Sequence, residues 1–91
     1  VGRCPSELLD DLASVLGEVL TWPGIVEKSP GVLYHRRQPF LHFHLIECGG
    51  RRADVRGRGG WTSLDVPRPI SATKHLALRR LLLARYRECA R

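Results

Sequence analysis

No apolar run in this chain exceeds five residues, far below the roughly 20 that a bilayer-crossing helix needs, and no signal-peptide pattern opens it. The expectation is a protein that neither spans a membrane nor carries a secretory address. Cysteine is sparse as well. Cys4, Cys48 and Cys89 are odd in number and contain no C-x-x-C pair, which excludes a disulfide framework and a zinc knuckle and fits a reducing cytoplasm. Aromatic residues make up only 7% of the chain, a low content for a base-stacking platform. Nucleophile elbow, P-loop and dinucleotide fingerprint are all missing. With no repeat, low-complexity tract or linker, the 91 residues, 43% of them hydrophobic, read as one domain over 1–91.

What the chain does have is positive charge, a formal +6, distributed unevenly. Residues 1–30 hold two basic groups, Arg3 and Lys28, against five acidic ones. Residues 31–91 hold thirteen basic groups against Glu47, Asp54, Asp65 and Glu88. An anionic partner is therefore expected to meet the later part of the chain. Most of the basic residues are Arg, whose planar fork suits bidentate contact with carboxylate or phosphate, although surface charge also serves solubility alone.

The order of elements follows from periodicity. Pro5-Ser6-Glu7 opens a helix with Ser6 or Cys4 near its cap, and Leu8, Leu12, Val15, Leu16 and Val19 form one apolar stripe along it. Trp22-Pro23-Gly24 ends that helix, and Ser29-Pro30-Gly31 marks a second turn. From Val32 the period falls to about two, which predicts strands near 32–36, 39–47, 52–57 and 61–66. Gln38-Pro39, Gly49-Gly50 and Gly57-Arg58-Gly59-Gly60 connect them, too short for crossover helices, so the sheet is expected to be an antiparallel meander. Ser71 then caps a closing helix to about Cys89, with Leu78, Leu81, Leu82 and Tyr86 on its buried side and Arg79, Arg80, Arg85, Arg87 and Arg91 around the rest. The fold class is α+β, a two-layer sandwich in the order α-β-β-β-β-α, with both helices on one face of a four-stranded sheet and the other face open.

The most informative segment is Phe40-Leu41-His42-Phe43-His44-Leu45-Ile46. In a strand Leu41, Phe43 and Leu45 point one way and the two histidines the other. If the apolar set meets the helices, His42 and His44 share the open face with Arg52, Asp54 and Arg56 of the next strand and Ser63 and Asp65 of the last. Register decides this. A two-residue Gly49-Gly50 turn sets His44 against Val55, whereas a three-residue loop through Arg51 with Gly50 left-handed sets His44 against Arg56 and keeps His42 and Asp54 on one face. The hydrophobic pattern favours the longer loop, although Phe40 and Ile46 then put apolar weight on the open face.

Three chemistries fit the pair. As metal ligands, His42 and His44 could be completed by Asp54, Asp65 or Cys48 around a zinc-like divalent ion at about 2.0–2.3 Å. As acid–base groups, a histidine oriented by Asp54, with Arg52 or Arg56 binding an anion, would suit phosphoryl or acyl chemistry. As structural groups they simply fill a half-buried face. Elsewhere, the Arg pairs at 36–37, 51–52 and 79–80 with Tyr34, His35 and Trp61 offer phosphate and stacking contacts for nucleic acid, though no recognisable binding module accompanies them. Trp22 and Trp61 read as anchors at element boundaries, the glycine-rich 57–60 loop as a plain hairpin, and Cys89 as buried by its helix.

Trp22-Pro23-Gly24-Ile25, Tyr34-His35-Arg36-Arg37, Leu41-His42-Phe43-His44, Ala53-Asp54-Val55 and Leu82-Leu83-Ala84-Arg85-Tyr86 follow one another through residues 20–87. In that order they resemble small uncharacterised bacterial proteins labelled luciferase-domain proteins. The chain departs from that pattern where Gly57-Arg58-Gly59-Gly60 replaces a longer helical insertion. The resemblance implies a bacterial source and no defined mechanism. The expectation is a cytoplasmic binding or accessory module that uses the open Arg- and His-bearing face for an anionic small ligand or a protein partner, as a monomer or homodimer. A small enzyme or metal-binding protein centred on His42, His44 and Asp54 is the alternative, and a weak nucleic-acid binder the further one.

Overall fold

The apolar stripe after Pro5 does not wind as one α-helix. In the computed structural model, which describes residues 2–90, Ser6–Leu12 is a 3₁₀ helix and only α1, Ala13–Val19, is α-helical. Neither Cys4 nor Ser6 caps it: the first residue is preceded by Pro5, whose carbonyl accepts from Leu8 N–H, and the Ser6 hydroxyl turns to Glu7. A 3₁₀ segment rises about 2.0 Å per residue, so this stretch is longer and narrower than the helix the stripe predicts. Its buried side is nevertheless the expected one, with Leu12, Val15, Leu16 and Val19 in the core and Leu8 packed against it.

The sheet is antiparallel and larger than four strands. Its main path runs β2 (Ile25–Ser29), β3 (Val32–His35), β4 (Gln38–Leu45), β5 (Arg51–Gly57) and β6 (Gly60–Asp65), and a short β1 (Gly2–Arg3) pairs with the end of β4. Two strands are absent from the sequence reading: β1 has only two residues, and β2, at the sheet edge, buries fully only Ile25, so Val26-Glu27-Lys28 shows no alternation to read. Pro30-Gly31 closes the β2–β3 hairpin. Gly31 is required there, because its φ is +76° and a Cβ would meet Leu9 Cδ1 at 3.0 Å. The next turn is Arg36-Arg37, both left-handed with φ of 49° and 72°, and Pro39 lies inside β4 instead of bounding it.

The β4–β5 register corrects the expected loop. Leu45 pairs with Arg51, His44 with Arg52 and His42 with Asp54. His44 therefore faces neither Val55 nor Arg56. The connection is a five-residue loop containing the 3₁₀ turn Glu47–Gly49, closed by Ile46 N–H donating to the Gly50 carbonyl, and Gly49 is left-handed in place of Gly50. The strand consequently stops at Leu45, and Ile46 packs within the loop against Gly50. Phe40 also leaves the open face. A bulge at Leu33/Tyr34 pairs Leu33 with Leu41 but Tyr34 with Pro39, and this extra residue lets Phe40 enter the core beside Tyr86.

Leu33, Leu41, Phe43, Ala53, Val55 and Val66 form one core with the 3₁₀ segment, α1 and α2 (Ala72–Cys89), which contributes Leu78 and Leu82. Ser71 caps α2 as expected, accepting from Lys74 N–H. Cys89 is half-buried, its thiol facing the Arg56 carbonyl, and Arg91 lies outside the described residues. Among the described residues, no helix is long and apolar enough to cross a membrane.

The largest fully buried side chain is polar. Arg51, 1% exposed, points to the core face of β5 and donates to both Asp11 oxygens at 2.6 and 2.8 Å. Its remaining donors reach the carbonyls of Leu8, Val66 and Pro67. That hydrogen bond from Arg51, opposed by partial burial, lowers the Asp11 carboxyl from 3.8 to about 2, with Ile70 N–H assisting. Removing one partner of such a pair leaves a buried charge uncompensated, so Arg51→Ala is expected to lose about 3–5 kcal/mol in urea denaturation at pH 7. The Asp11 contribution, on the order of 2 kcal/mol, is complete above about pH 5 and disappears as pH falls towards 2. Asp11→Asn should remove that acid-sensitive component, which unfolding midpoints measured between pH 2 and 6 will show.

Candidate functional site

The face opposite the helices carries the residues that alternation places there. Val32 and Tyr34 of β3, His42 and His44 of β4, Arg52, Asp54 and Arg56 of β5, and Trp61, Ser63 and Asp65 of β6 alternate with the core positions. Two cross-strand rows result: His42–Asp54–Ser63 and His44–Arg52–Asp65. Side chains directly opposite in an antiparallel pair lie about 5 Å apart at Cβ, close enough for polar groups to meet.

Asp54 is the hub. It accepts from Ser63 Oγ at 2.7 Å and from Arg52 Nε at 3.0 Å on one oxygen, while His44 Nε2 lies 3.1 Å from the other. Burial pushes the Asp54 carboxyl up, but the Ser63 and Arg52 hydrogen bonds and the nearby Arg52 and His44 more than offset it and hold it below the usual carboxylate range. An ionised carboxylate on Nε2 fixes the orientation of the His44 ring and leaves Nδ1 as its second polar atom. His42 differs. Its Nε2 is shut off from solvent without a hydrogen-bond partner, its ring centroid is 5.9 Å from that of His44, and Trp61 stands edge-on at 5.8 Å. Burial, followed by the neighbouring His44 and Arg3, pushes the His42 imidazole below its ordinary value, only partly opposed by Asp54.

The candidate cations are deployed differently from the sequence expectation. Arg52 is bound to Asp54, and Arg56 donates from Nε to the Pro39 carbonyl. Asp65 is exposed, opposite Arg52. The Arg pairs do not assemble into one surface: Arg51 is interior, Arg36 and Arg37 form the β3–β4 turn, and Arg79 is engaged by Glu18 at 2.8 and 2.9 Å. His35, read as a stacking group, is instead buried beside Tyr86, and its imidazole is pushed down first by burial and then by Arg36 and Arg56. Trp22 is an anchor, packed on Tyr86 at 4.9 Å, whereas Trp61 is half exposed. The Cys48 side chain lies outside the described residues. Among the described residues, no group of three or more His, Cys, Asp or Glu side chains is arranged to hold a metal ion.

A cleft of about 570 Å³ opens beside the histidines, where β1 and β3 meet the same edge of β4. Arg3, Lys28, Val32, Tyr34, His42 and His44 line it, and none of its lining residues is acidic. Arg3 is the register partner of His44, and the Lys28 ammonium sits over the Tyr34 ring at 5.5 Å. These two cations come from the acidic first third of the chain, not from the basic remainder. Sequence reasoning missed them because β1 and β2 were unread: β1 sets Arg3 beside His44, and β2 brings Lys28 onto this face.

Comparisons of the chain with protein-family models, curated proteins and solved structures give no match.

The electrostatics of His42 are directly measurable. Its ring should titrate below the ordinary imidazole value of 6.5 in a histidine-selective NMR titration. Asp54→Asn should move the midpoint further down, and Arg3→Ala should move it up. Because the fold disfavours the charged form of both His35 and His42, they add a stability loss that begins as pH falls below about 6.5, where the unfolded chain takes up the proton more readily.

Proposed function

We propose that the protein is a small cytoplasmic binding module that holds an anionic small molecule in the cleft between β1, β2, β3 and β4. One observation carries this reading: two cationic side chains and two imidazoles converge on a concave site whose lining has no carboxylate. Clefts of this size, with an apolar wall and a few convergent polar groups, are the usual form of small-ligand sites. Val32 and Tyr34 supply the wall, and Arg3, Lys28 and the histidines supply the polar groups. Asp54 supports the site from behind, tying His44, Arg52 and Ser63 into one network. Free thiols at Cys4 and Cys89 accord with a reducing compartment.

A second reading, acid–base chemistry centred on His42, His44 and Asp54, is favoured by the 3.1 Å contact between His44 and Asp54. A carboxylate-held imidazole at a cleft is equipped to move a proton. Turnover of a bound anion that is abolished by His44→Ala while binding persists would support it.

Isothermal titration with sulfate and with small organic phosphates at low ionic strength tests the binding reading. Arg3→Ala and Lys28→Ala should each weaken binding about fivefold, corresponding to about 1 kcal/mol for a partly exposed charged contact. Arg80→Ala, which alters an exposed arginine on α2, should leave it unchanged. Equal losses from all three variants would mean that general positive charge, and not the cleft, attracts the anion.

A further inference from the structure

We propose that the cleft takes up its ligand together with a proton, and that the ligand is a small organic dianion of the phosphate-monoester class. This inference rests on the binding reading above and deepens it. Arg3 and Lys28 provide two permanent positive charges, and no residue of the lining offsets them. A monoanionic carboxylate would leave that field incompletely neutralised. A phosphate monoester carries about −1.5 to −2 charges near pH 7 and three strong acceptor oxygens.

The imidazoles supply the proton-accepting part. His44 is faced by Arg3 from β1, His42 from its own strand, and Arg52 and Asp54 from β5, with Asp65 of β6 opposite Arg52. When His44 is an imidazolium, its Nε2–H donates to Asp54 and Nδ1–H remains for a ligand oxygen, so both donors are satisfied. A dianion beside Arg3, the register partner of His44, adds negative charge next to that ring and so favours its imidazolium form. Binding of anion and proton therefore favour each other, as linkage requires. His42, with an unpartnered Nε2 and a ring 5.9 Å from that of His44, adds a second imidazole to the same linkage. His42 is faced by His44, Asp54 and Arg3, with Trp61 against its ring.

Size argues for an organic body on the phosphate. A cleft of about 570 Å³ exceeds what a bare tetrahedral anion fills, and Val32 and Tyr34 give its lining an apolar part. The phosphate head belongs at the Arg3–His44 end, where register pairs the two residues, and the body lies along Val32 towards Tyr34.

Calorimetry on the full chain with sulfate, phenyl phosphate and benzoate tests each part. Sulfate keeps its charge between pH 6 and 8, so any change in its affinity reports the protein. The expected result is at least about tenfold weaker sulfate binding at pH 8 than at pH 6, since one fully linked proton is worth up to tenfold per pH unit. Buffers of different ionisation enthalpy should reveal net proton uptake at pH 7, and His44→Gln should flatten the pH dependence. If that variant does not fold, proton uptake by the native chain decides the point by itself. Phenyl phosphate should bind at least tenfold more tightly than benzoate and more tightly than sulfate at pH 7. Sulfate binding that is independent of pH and without proton uptake would overturn the proton linkage while leaving the binding module intact. Benzoate binding as tight as phenyl phosphate would overturn the ligand class. No binding of any of the three would overturn the anion-binding reading itself, and this inference with it.

Discussion

One guanidinium organises the fold. Arg51 is buried at the start of β5, and its donors are shared among Asp11, Leu8, Val66 and Pro67. From the first residue of β5, Arg51 thus joins two stretches far from it in sequence: the 3₁₀ segment, with Leu8 and Asp11, and the exit from β6 towards α2, with Val66 and Pro67. The Asp11 carboxylate also accepts from Ile70 N–H, so the same ion pair holds the chain just before the closing helix. Desolvating an arginine is costly, and here each part of the fork is matched by an acceptor already committed to the fold. The pair specifies where the N-terminal segment must lie more than it adds net stability.

Fixing the N-terminal segment has a consequence on the other side of the sheet. With Arg51 pointing inward, the strict alternation of β5 sends Arg52, Asp54 and Arg56 outward, and the Leu45–Arg51 pairing sets which β4 residues they meet. The His42–Asp54 row and the contact between His44 and Asp54 thus follow from a core interaction on the opposite face. The chain before the 3₁₀ segment also runs along the end of β4, which brings Arg3 beside His44. A structural arginine and a cleft-lining one are placed by the same short segment.

Much of this was legible in the sequence, and the parts that were not have physical causes. The Ser71 cap, the alternation through Leu41–Leu45 and the hairpin at Gly57–Gly60 are local patterns that describe the observed elements, while the stripe from Leu8 to Val19 foretold the buried side but not the 3₁₀ winding of its first half. The face shared by His42, His44, Asp54 and Asp65 was legible because side-chain direction depends only on parity. Register was not, because the loop after Leu45 winds a 3₁₀ turn that two glycines do not announce. Phe40 and Ile46 looked misplaced on an open face, but a bulge and a strand end remove them from it. Arg51 read as half of a surface Arg pair, since only tertiary structure reveals the carbonyls and carboxylate that bury it. Edge strand β2 buries a single residue completely and carries no periodic signal.

The formal charge of +6 is a poor guide to where an anion would sit. Of the basic residues beyond position 30, Arg51 is neutralised inside the fold, Arg52 by Asp54, Arg79 by Glu18 and Arg85 by Glu88, whose oxygen lies 2.6 Å away. Potential at a site depends on uncompensated charge within about a Debye length and on the shape that limits screening. By that measure Arg3 and Lys28 outweigh a longer row of paired arginines, because they stand at a concave surface without a carboxylate in its lining. Two residues in the acidic third of the chain thereby define the site, and Arg52, through Asp54, helps keep His44 in place.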